Sequence, residues 1–295
     1  MTDITEQGIN KPSAVALGFF DGLHLGHIEV VKRTLVRDNL CPVIFTFNDK
    51  TLLPKFKGRK GHCIITHEQK VKLFERIGVE YIYAPDFNDV RDYSARDFVE
   101  RILKDFLCAS VVVCGYDFRF GKGGEGTPET LKSLCAENGM ICEVVPAVTV
   151  DGENVSSTSI REKIRNGDIE GANRCLGYEL SYNLPVIKGK QIGRTMGFPT
   201  INQEIPDYMV KPKNGVYKSW TVAEGKTYRS ITNIGVKPTV GYTGEAVMET
   251  HIIGFEGDLY GKNVNVALRE YIRDERRFDN LDELKNQLES DKKQA

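Results

Sequence analysis

The chain lacks an excess of charge of either sign. Its 295 residues include 40 Lys and Arg against 41 Asp and Glu, a formal net charge of -1. Nonspecific binding to nucleic acid or to an anionic membrane usually depends on a basic surface, so we expect neither partner. Any phosphate site must therefore be built locally, from a few residues.

Patterns typical of disulfide-bonded, zinc-binding and membrane proteins are also absent. The seven cysteines, an odd number, are scattered from Cys41 to Cys175 with no C-x-x-C, which argues against a disulfide framework and a zinc site. Reduced thiols in the cytosol are the simplest interpretation. The polar residues 1–13 and the lack of any apolar run near about 20 residues predict neither a leader peptide nor a membrane span. We expect a cytoplasmic protein.

The first half of the chain alternates strand and helix patterns. Short apolar runs at 14–20, 42–47, 81–84, 111–113 and 141–145 predict strands, with helical patterns between them, among them a helix over 94–107 that Ser94 caps. This alternation predicts an α/β domain with a Rossmann-like, mainly parallel sheet and crossover helices. Ligands of such sheets bind at the carboxyl ends of the strands, so we expect chemistry in the loops there.

The second half of the chain has a different hydrophobic pattern. Residues 216–222 and 263–268 alternate with period two, and Gly, Pro and Asn separate such segments, as in a small antiparallel β-barrel. A final helix is predicted from Asn280, with Glu283 completing a capping box. At about 150 residues per domain the length suits two domains. The change of hydrophobic pattern predicts two domains, at 1–179 and 180–295.

Two of the five histidines, His24 and His27, follow the first predicted strand and a turn at 20–22. At spacing i, i+3 both imidazoles lie on one face of a helix start, where free backbone N–H groups suit a phosphate. Gly26 lets a ligand approach closely, and two imidazole donors can stabilise charge developing on an α-phosphate. The alternative interpretation is a pair of capping or half-buried histidines.

A second group of anion-binding residues follows the last predicted strand of this half. Residues 156–161, SSTSIR, open another helix with hydroxyls, free N–H groups and a guanidinium. The alternative is that these serines only cap the helix, since Ser159 and Glu162 are spaced as a capping box. Both helix starts are expected at the same edge of one sheet, which is what a triphosphate requires.

The pattern G-x-G-x-x-G at 121–126 does not follow its strand directly, so we interpret it as a flap and not as a dinucleotide site.

Three segments of the first half resemble the nucleotidyltransferase motifs of bacterial bifunctional riboflavin kinase/FAD synthetases. Residues 18–27, GFFDGLHLGH, resemble the signature G-x-F-D-G-x-H-x-G-H, and residues 115–121 and 156–161 resemble the other two motifs. The resemblance implies adenylyl transfer, in which the FMN phosphate attacks the α-phosphate of ATP to give FAD and pyrophosphate. The site residues it implies are catalytic His24, His27 and Arg161, ATP-binding Gly18, Phe20, Gly26, Ser156, Ser157 and Thr158, and flavin-binding Asp117 and Phe118.

The second half contains no P-loop sequence, so a kinase there cannot use the common phosphate-binding loop. Instead, residues 189–202 combine three glycines with basic residues and hydroxyls. Within them, Thr200 and Asn202 offer neutral oxygen ligands that suit Mg²⁺ carried with ATP. The alternative is a Gly-rich hairpin with solvated charges.

This stretch resembles the riboflavin kinase motif G-R-T-x-G-F-P-T-A-N of the same family. Segments at 214–217, 233–239, 258–261 and 273–278 match its later landmarks in order, so the resemblance covers nearly the whole chain. It implies a β-barrel kinase that phosphorylates the ribityl 5′-hydroxyl of riboflavin to give FMN, which the first half of the chain then converts to FAD. The site residues it implies are ATP-binding Gly193, Arg194 and Thr195, magnesium ligands Thr200 and Asn202, flavin-binding Arg273, Arg277 and Phe278, and the catalytic Glu249.

Glu249 is a candidate functional residue independently of the resemblance. Alternation in 247–253 puts it on the same strand face as Val247 and Ile253, where a carboxylate is costly unless it is paired or functional. A positioned carboxylate can orient a hydroxyl and accept its proton. The alternative is an edge-strand Glu that faces water or pairs with Arg269 or Arg273.

The sequence departs from the family at three places. Ile201 stands where the family usually has Ala, Ser159 where it has Arg, and residues 48–54 replace an Asp-Pro-His-Pro-like loop.

Two other function classes stay open: a nucleotidyltransferase with another acceptor, and a non-catalytic sensor of flavin or nucleotide. The presence of both His27 and Arg161 favours an enzyme over a sensor. The oligomeric state is left open.

Overall fold

The chain divides into two compact units. The computed structural model describes residues 1–48, 61–189, 193, 197–236, 246–276, 278 and 280–294. One unit contains Met1–Gly58 and Thr66–Ser157, and the other contains Arg59–Ile65 and Thr158–Ala295. We call them the sheet unit and the barrel unit. Within the described part of the chain, no helix is long and apolar enough to cross a membrane.

The sheet unit is built on a six-stranded parallel sheet, as the alternating pattern predicts. Its strands lie in the order β1-β4-β3-β2-β5-β6, and every neighbouring pair is parallel. These strands are β1 (Thr2–Asp3), β2 (Ser13–Leu17), β3 (Cys41–Phe45), β4 (Tyr81–Tyr83), β5 (Ala109–Gly115) and β6 (Ile141–Val145). A short antiparallel pair, β7 (Thr149–Val150) and β8 (Glu153–Asn154), follows.

Helices connect the strands of the sheet unit, and polar caps start several of them. Thr66 and Gln69 form a capping box on one helix, and Ser94 accepts from the backbone N–H of Asp97 on another. The second of these, predicted as one helix from Ser94, continues as a π-helix over Phe98–Phe106. The helices are α1 (Leu25–Leu35), α2 (His67–Arg76), α3 (Phe87–Val90), α4 (Ala95–Asp97) and α5 (Pro128–Glu137).

The strand order determines where a ligand can bind. From β2 the chain builds outward to β3 and β4 on one side, then returns to place β5 and β6 on the other side. Such a reversal opens a crevice at the carboxyl ends of the two central strands. Here those strands are β2 and β5, so the crevice lies between the loops that follow Leu17 and Gly115.

The barrel unit contains six antiparallel strands in the order β10-β13-β12-β11-β14-β9. A bridge between Ile187 and Asn202 nearly closes the barrel between its end strands, and the confirmed terminal helix follows. Its elements are α6 (Ser157–Asn166, which begins at the last residue of the sheet unit), α7 (Ile169–Leu176), β9 (Ser181–Pro185), β10 (Thr200–Ile205), β11 (Gly215–Ala223), β12 (Lys226–Val236), β13 (Ala246–Ile252), β14 (Asn263–Arg273) and α8 (Leu281–Gln294).

Polar side chains help to close this barrel. The buried amide of Gln203 on β10 donates to the carbonyl oxygens of Leu184 on β9 and Val264 on β14, at 2.6 and 2.8 Å. At the start of α8, the Asn280 side chain accepts from the N–H of Glu283 at 2.9 Å, which is one of the two hydrogen bonds of the predicted capping box. The barrel is therefore held by side chains across its seam as well as by its strand ladders.

Candidate functional site

A tight turn after β2 lies at the crevice of the sheet unit. Phe20 and Leu23 have positive φ angles of 55° and 34°, which non-glycine residues rarely adopt, and Gly22 has a φ of 78°. The ring of Phe20 is buried, so this residue could contact ATP only through its backbone. A Cβ on Gly18 would lie 3.0 Å from that ring, so glycine is needed for the close approach.

His24 and His27 come together at the start of α1. The Nδ1 atom of His24 accepts from the backbone N–H of His27 at 3.3 Å, so His24 is the N-cap of the helix. The two rings stack, with centroids 3.6 Å apart and 15° between planes. Since Nδ1 of His24 is an acceptor, the neutral ring carries its proton on Nε2. The structure thus gives His24 a capping role through its Nδ1 atom.

Gly26 provides the space that this arrangement requires. A Cβ at this position would lie 3.2 Å from the Cε1 and Nδ1 atoms of His24, closer than ordinary van der Waals contact. The backbone angle of Gly26 is not the reason for glycine here, since its φ is not positive. Its missing side chain lets the His24 ring fold back over the helix start.

Ser157 connects the second motif to the first. Its hydroxyl donates to the carbonyl oxygen of Asp21 at 2.9 Å, and both residues belong to the sheet unit. The preceding Ser156 is half-buried just before α6. The helix begins at Ser157, so Ser159 lies inside it and is not its cap.

Thr158 and Arg161 lie on α6, in the part of the chain that belongs to the barrel unit. The guanidinium of Arg161 donates to the carbonyl oxygen of His62 at 3.2 Å and to the hydroxyl of Thr158 at 3.4 Å. Their predicted roles toward a triphosphate stay predictions. The contacts show that Arg161 also holds the backbone near residue 62.

The loop after β5 carries Asp117 and Phe118. Asp117 is exposed, and a Cβ on Gly115 would lie 3.2 Å from its Oδ1 atom. Phe118 is half-buried and stacks on Phe120, with centroids 5.9 Å apart. The adjoining Gly-rich segment is tied to α4, because the Glu125 carboxylate accepts from the N–H of Ala95 at 2.8 Å.

A pocket of about 280 Å³ opens in the barrel unit. Two rows of side chains that cross adjacent strands contribute residues to its lining, although Asn202 of the second row is not one of them. In one, His251 on β13 lies opposite Thr200 on β10 and Ile231 on β12. In the other, Glu249 on β13 lies opposite Asn202 and Asn233. The described residues that line the pocket are Gly193, Phe198, Thr200, Val216, Ile231, Asn233, Glu249, His251, Arg273, Glu275, Arg276, Phe278, Leu288 and Asp291.

Glu249 occupies a distinctive position on its strand. Six of the seven residues of β13 are buried, and Glu249 is the exposed one, open to the pocket. Asn202 faces it across the ladder and lies against Gly189, where a Cβ would be 2.5 Å from its Nδ2 atom. Carboxylate, amide and the Thr200 hydroxyl thus lie on one face of the sheet, because residues two apart on a strand share a face.

Arg273 is held by an ion pair. Its guanidinium donates through Nε and Nη2 to the two carboxylate oxygens of Asp291, at 3.1 and 2.6 Å. The Asp291 side chain is only 1% exposed. This contact docks α8 on β14 at the pocket, so Arg273 shapes the wall where flavin binding is predicted. Phe278 lines the same pocket.

His251 and Asp291 are pocket residues that the sequence interpretation missed. The Nδ1 atom of His251 donates to the carbonyl oxygen of Pro199 at 2.9 Å. Burial lowers its pKa below the usual value, which favours the neutral ring. Its position two residues after Glu249 was a usable signal, since strand alternation puts both on one face. The charged sequence around Asp291 shows no pattern that would predict a pocket residue.

Some predicted site residues lie outside the described part of the chain. These are Arg194, Thr195 and Arg277, together with residues 49–54 of the atypical loop.

The family models match both halves of the chain. The model described as FAD synthetase matches residues 6–159, and the model described as riboflavin kinase matches residues 176–295. The first covers the turn with both histidines, and the second covers the barrel pocket.

Two relatives matched over nearly the whole chain carry both activities in their names. A "Bifunctional riboflavin kinase/FMN adenylyltransferase" of Bacillus subtilis is 33% identical, covering 96% of this chain and 91% of the relative. The protein of that name from Escherichia coli K12 is 31% identical, covering 97% and 92%. A crystal structure titled as a macrolide-efflux protein of Streptococcus pneumoniae is similar at a TM-score of 0.87 and 30% identity, covering 99% of this chain and 97% of that one. With both family models and the relatives from Bacillus subtilis and Escherichia coli in agreement, the chain belongs to the bifunctional riboflavin kinase/FMN adenylyltransferase family.

Proposed function

We propose that the two reactions of the family are divided between the two units of this chain. The chain is a riboflavin kinase and an FMN adenylyltransferase, which converts riboflavin to FMN with ATP and FMN to FAD with release of pyrophosphate. The matched segments fall in different halves, and each half has a candidate site of its own. This supports kinase chemistry in the barrel unit and adenylyl transfer in the sheet unit.

Glu249 is the general base of the kinase reaction in this proposal. Its carboxylate accepts the proton of the ribityl 5′-hydroxyl while that oxygen bonds to the γ-phosphorus of ATP. The bond from the γ-phosphorus to the β–γ bridging oxygen breaks, and ADP leaves. The observation that carries this role is the exposure of Glu249 to the pocket from an otherwise buried strand.

Magnesium would enter this site with ATP. Thr200 and Asn202 share one face of β10, and their neutral oxygens are the hard ligands that Mg²⁺ prefers. Asn202 lies opposite Glu249 in the ladder, so the donor set suits the ion together with phosphate oxygens. When bound, the ion would neutralise phosphate charge, and the protein residues would hold the nucleotide in place.

His24 and His27 serve adenylyl transfer. An oxygen of the FMN phosphate attacks the α-phosphorus of ATP, the bond to the α–β bridging oxygen breaks, and pyrophosphate leaves. Ring N–H groups at the start of α1 donate to the phosphate oxygens as their charge increases, along with backbone N–H groups of the first helical turn. The observation that carries this role is the stacked pair at the crevice between β2 and β5. The motif supports Ser157, in the same unit, as a ligand of the triphosphate.

Flavin chromatography of the full chain with riboflavin and Mg-ATP tests the assignment. We expect FMN to appear first and FAD afterwards. His27→Ala should lower FAD formation from supplied FMN by about 10²–10³-fold and leave FMN formation unchanged, since it removes a donor to the transferring group. Glu249→Gln should lower FMN formation by about 10²–10⁴-fold and leave FAD formation unchanged.

Glu224→Gln is the matched control for the Glu249 variant, because Glu224 is an exposed partner of Lys262. No flavin conversion by the wild-type chain would contradict the activities. Equal loss of both reactions in either variant would contradict the division between units.

A cytoplasmic location completes the proposal. All seven cysteines are free thiols, which is typical of proteins in a reducing compartment.

A further inference from the structure

A lysine is buried beneath the turn that carries the two histidines. Lys70 on α2 is 4% exposed, and lysine is among the residues least often found in a protein interior. Its Nζ atom donates to the carbonyl oxygen of Phe19 at 3.2 Å and to the hydroxyl of Thr46 at 3.3 Å. The Thr46 hydroxyl donates to the same carbonyl at 3.0 Å. Because desolvating an ammonium group is costly, these contacts indicate a specific role.

The three groups connect the carboxyl ends of neighbouring strands. Phe19 follows β2 and Thr46 follows β3, and the two strands are paired. The ammonium group therefore lies at the sheet edge where ligands of such folds bind, but under the turn and not open to a substrate. Its contact with the Phe19 ring, 4.9 Å from Nζ to the centroid, places it directly against the turn.

A short chain of contacts leads from Lys70 to His27. The Phe19 carbonyl precedes Phe20, whose φ of 55° persists only where neighbouring groups hold it. The Phe20 ring packs edge-on against His27, with centroids 5.2 Å apart, and against Phe74 at 5.5 Å. Phe74 lies one helical turn after Lys70 on α2. The helix thus holds the turn at two points, through a carbonyl and through a ring.

We propose that Lys70 is a positioning residue for adenylyl transfer, which fixes the Phe19 carbonyl and the left-handed Phe20 backbone and so orients the His27 imidazole. The proposal rests on the role of His27 argued above. It assigns Lys70 no contact with substrate: its effect reaches the reaction through Phe20 and His27.

Lys70→Met, Lys70→Arg and Lys72→Met in the full chain test this role. Lys72 is the matched control, since it lies on the same helix, is 60% exposed and pairs with Glu68. We expect Lys70→Met to lower kcat for FAD formation by about 10- to 100-fold, because small misplacement of a catalytic group has effects of that size. KM for FMN and ATP should stay within about twofold. Lys70→Arg should recover part of kcat, and Lys72→Met should match wild type.

Two further readouts separate this role from simple loss of folding. FMN formation by the same chain should be unchanged, and ¹H–¹⁵N spectra of the histidine rings should show His27 displaced in Lys70→Met but not in Lys72→Met. If Lys70→Met does not fold, Thr46→Val removes one donor to the Phe19 carbonyl and should lower kcat in the same direction.

Wild-type kcat in Lys70→Met, or an unmoved His27 signal with lowered kcat, would overturn the proposal. A wild-type chain that forms no FAD would instead contradict the proposed function. The histidine spectra would still show whether Lys70 orients His27.

Discussion

The hydroxyl of Ser157 donates a hydrogen bond to the carbonyl oxygen of Asp21, across 136 positions of sequence. The bond joins the first residue of α6 to the turn that precedes His24. Two motifs that look like separate anion sites in the sequence are thus connected within the sheet unit. A residue of the second motif therefore holds the turn that precedes His24.

Ser157→Ala should lower FAD formation by about fivefold or more. The change removes a hydrogen bond worth about 1 kcal/mol, which corresponds to about fivefold in rate if the bond is needed to reach the transition state. Ser133→Ala, an exposed position on α5, is the control. The measurement is the rate of pyrophosphate release with supplied FMN, and equal rates in the two variants would contradict the expectation.

Gly26→Ala should lower the rate of FAD formation without lowering the stability of the sheet unit. The new methyl group would lie 3.2 Å from the His24 ring and displace it, so we expect kcat for FAD formation to fall by about tenfold or more. Alanine is a better helix former than glycine by about 1 kcal/mol, so the sheet unit should not become less stable. Thermal unfolding and FAD formation, measured on the same sample, check both parts.

Lys32→Ala on the exposed face of α1 is the control for this variant. A parallel fall in unfolding temperature and activity would mean that Gly26 serves folding rather than the geometry of His24.

Periodicity was sufficient to predict most of the fold. Alternating apolar runs predicted five of the six strands of the parallel sheet, since buried β-branched segments leave a clear pattern. The strand at Thr2–Asp3 has two exposed residues and leaves none. The π-helical continuation over Phe98–Phe106 was also missed, because its apolar spacing is close to that of an α-helix.

The sites were predictable only where their residues are close in sequence. His24 and His27 are three residues apart, and their spacing alone places both rings at one helix start. Lys70 reads as a polar position on a helix, and nothing local indicates that it is buried under a turn some fifty positions earlier. Its partners become its neighbours only through the pairing of β2 with β3.

Asp291→Asn should weaken the docking of α8 on the barrel. The change leaves Arg273 without the carboxylate that holds it, and breaking a buried ion pair costs about 3 kcal/mol. Because Arg273 and Asp291 both line the pocket, we expect KM for riboflavin to rise together with a fall in unfolding temperature. Asp282→Asn, at an exposed position of the same helix, is the control. Unchanged stability and KM would exclude a docking role for this pair.

The barrel unit should be more stable when it includes α7 than when it begins at residue 180. The side chain of Asn173 donates to the carbonyl oxygen of Leu268 at 3.0 Å and accepts from the N–H of Leu180 at 2.7 Å, which ties α7 to β14. A fragment of 180–295 loses these bonds and the buried apolar face of α7, formed by Ile169, Ala172, Cys175 and Leu176.

We expect the fragments 158–295 and 180–295 both to convert riboflavin to FMN, with the longer one unfolding at least about 5 °C higher, since 1 kcal/mol shifts the midpoint by about that much in a domain of this size. Asn173→Ala in the longer fragment should remove part of the difference. Equal unfolding temperatures for the two fragments would instead place the folding boundary at 179/180, because α7 would then add nothing to the stability of the barrel.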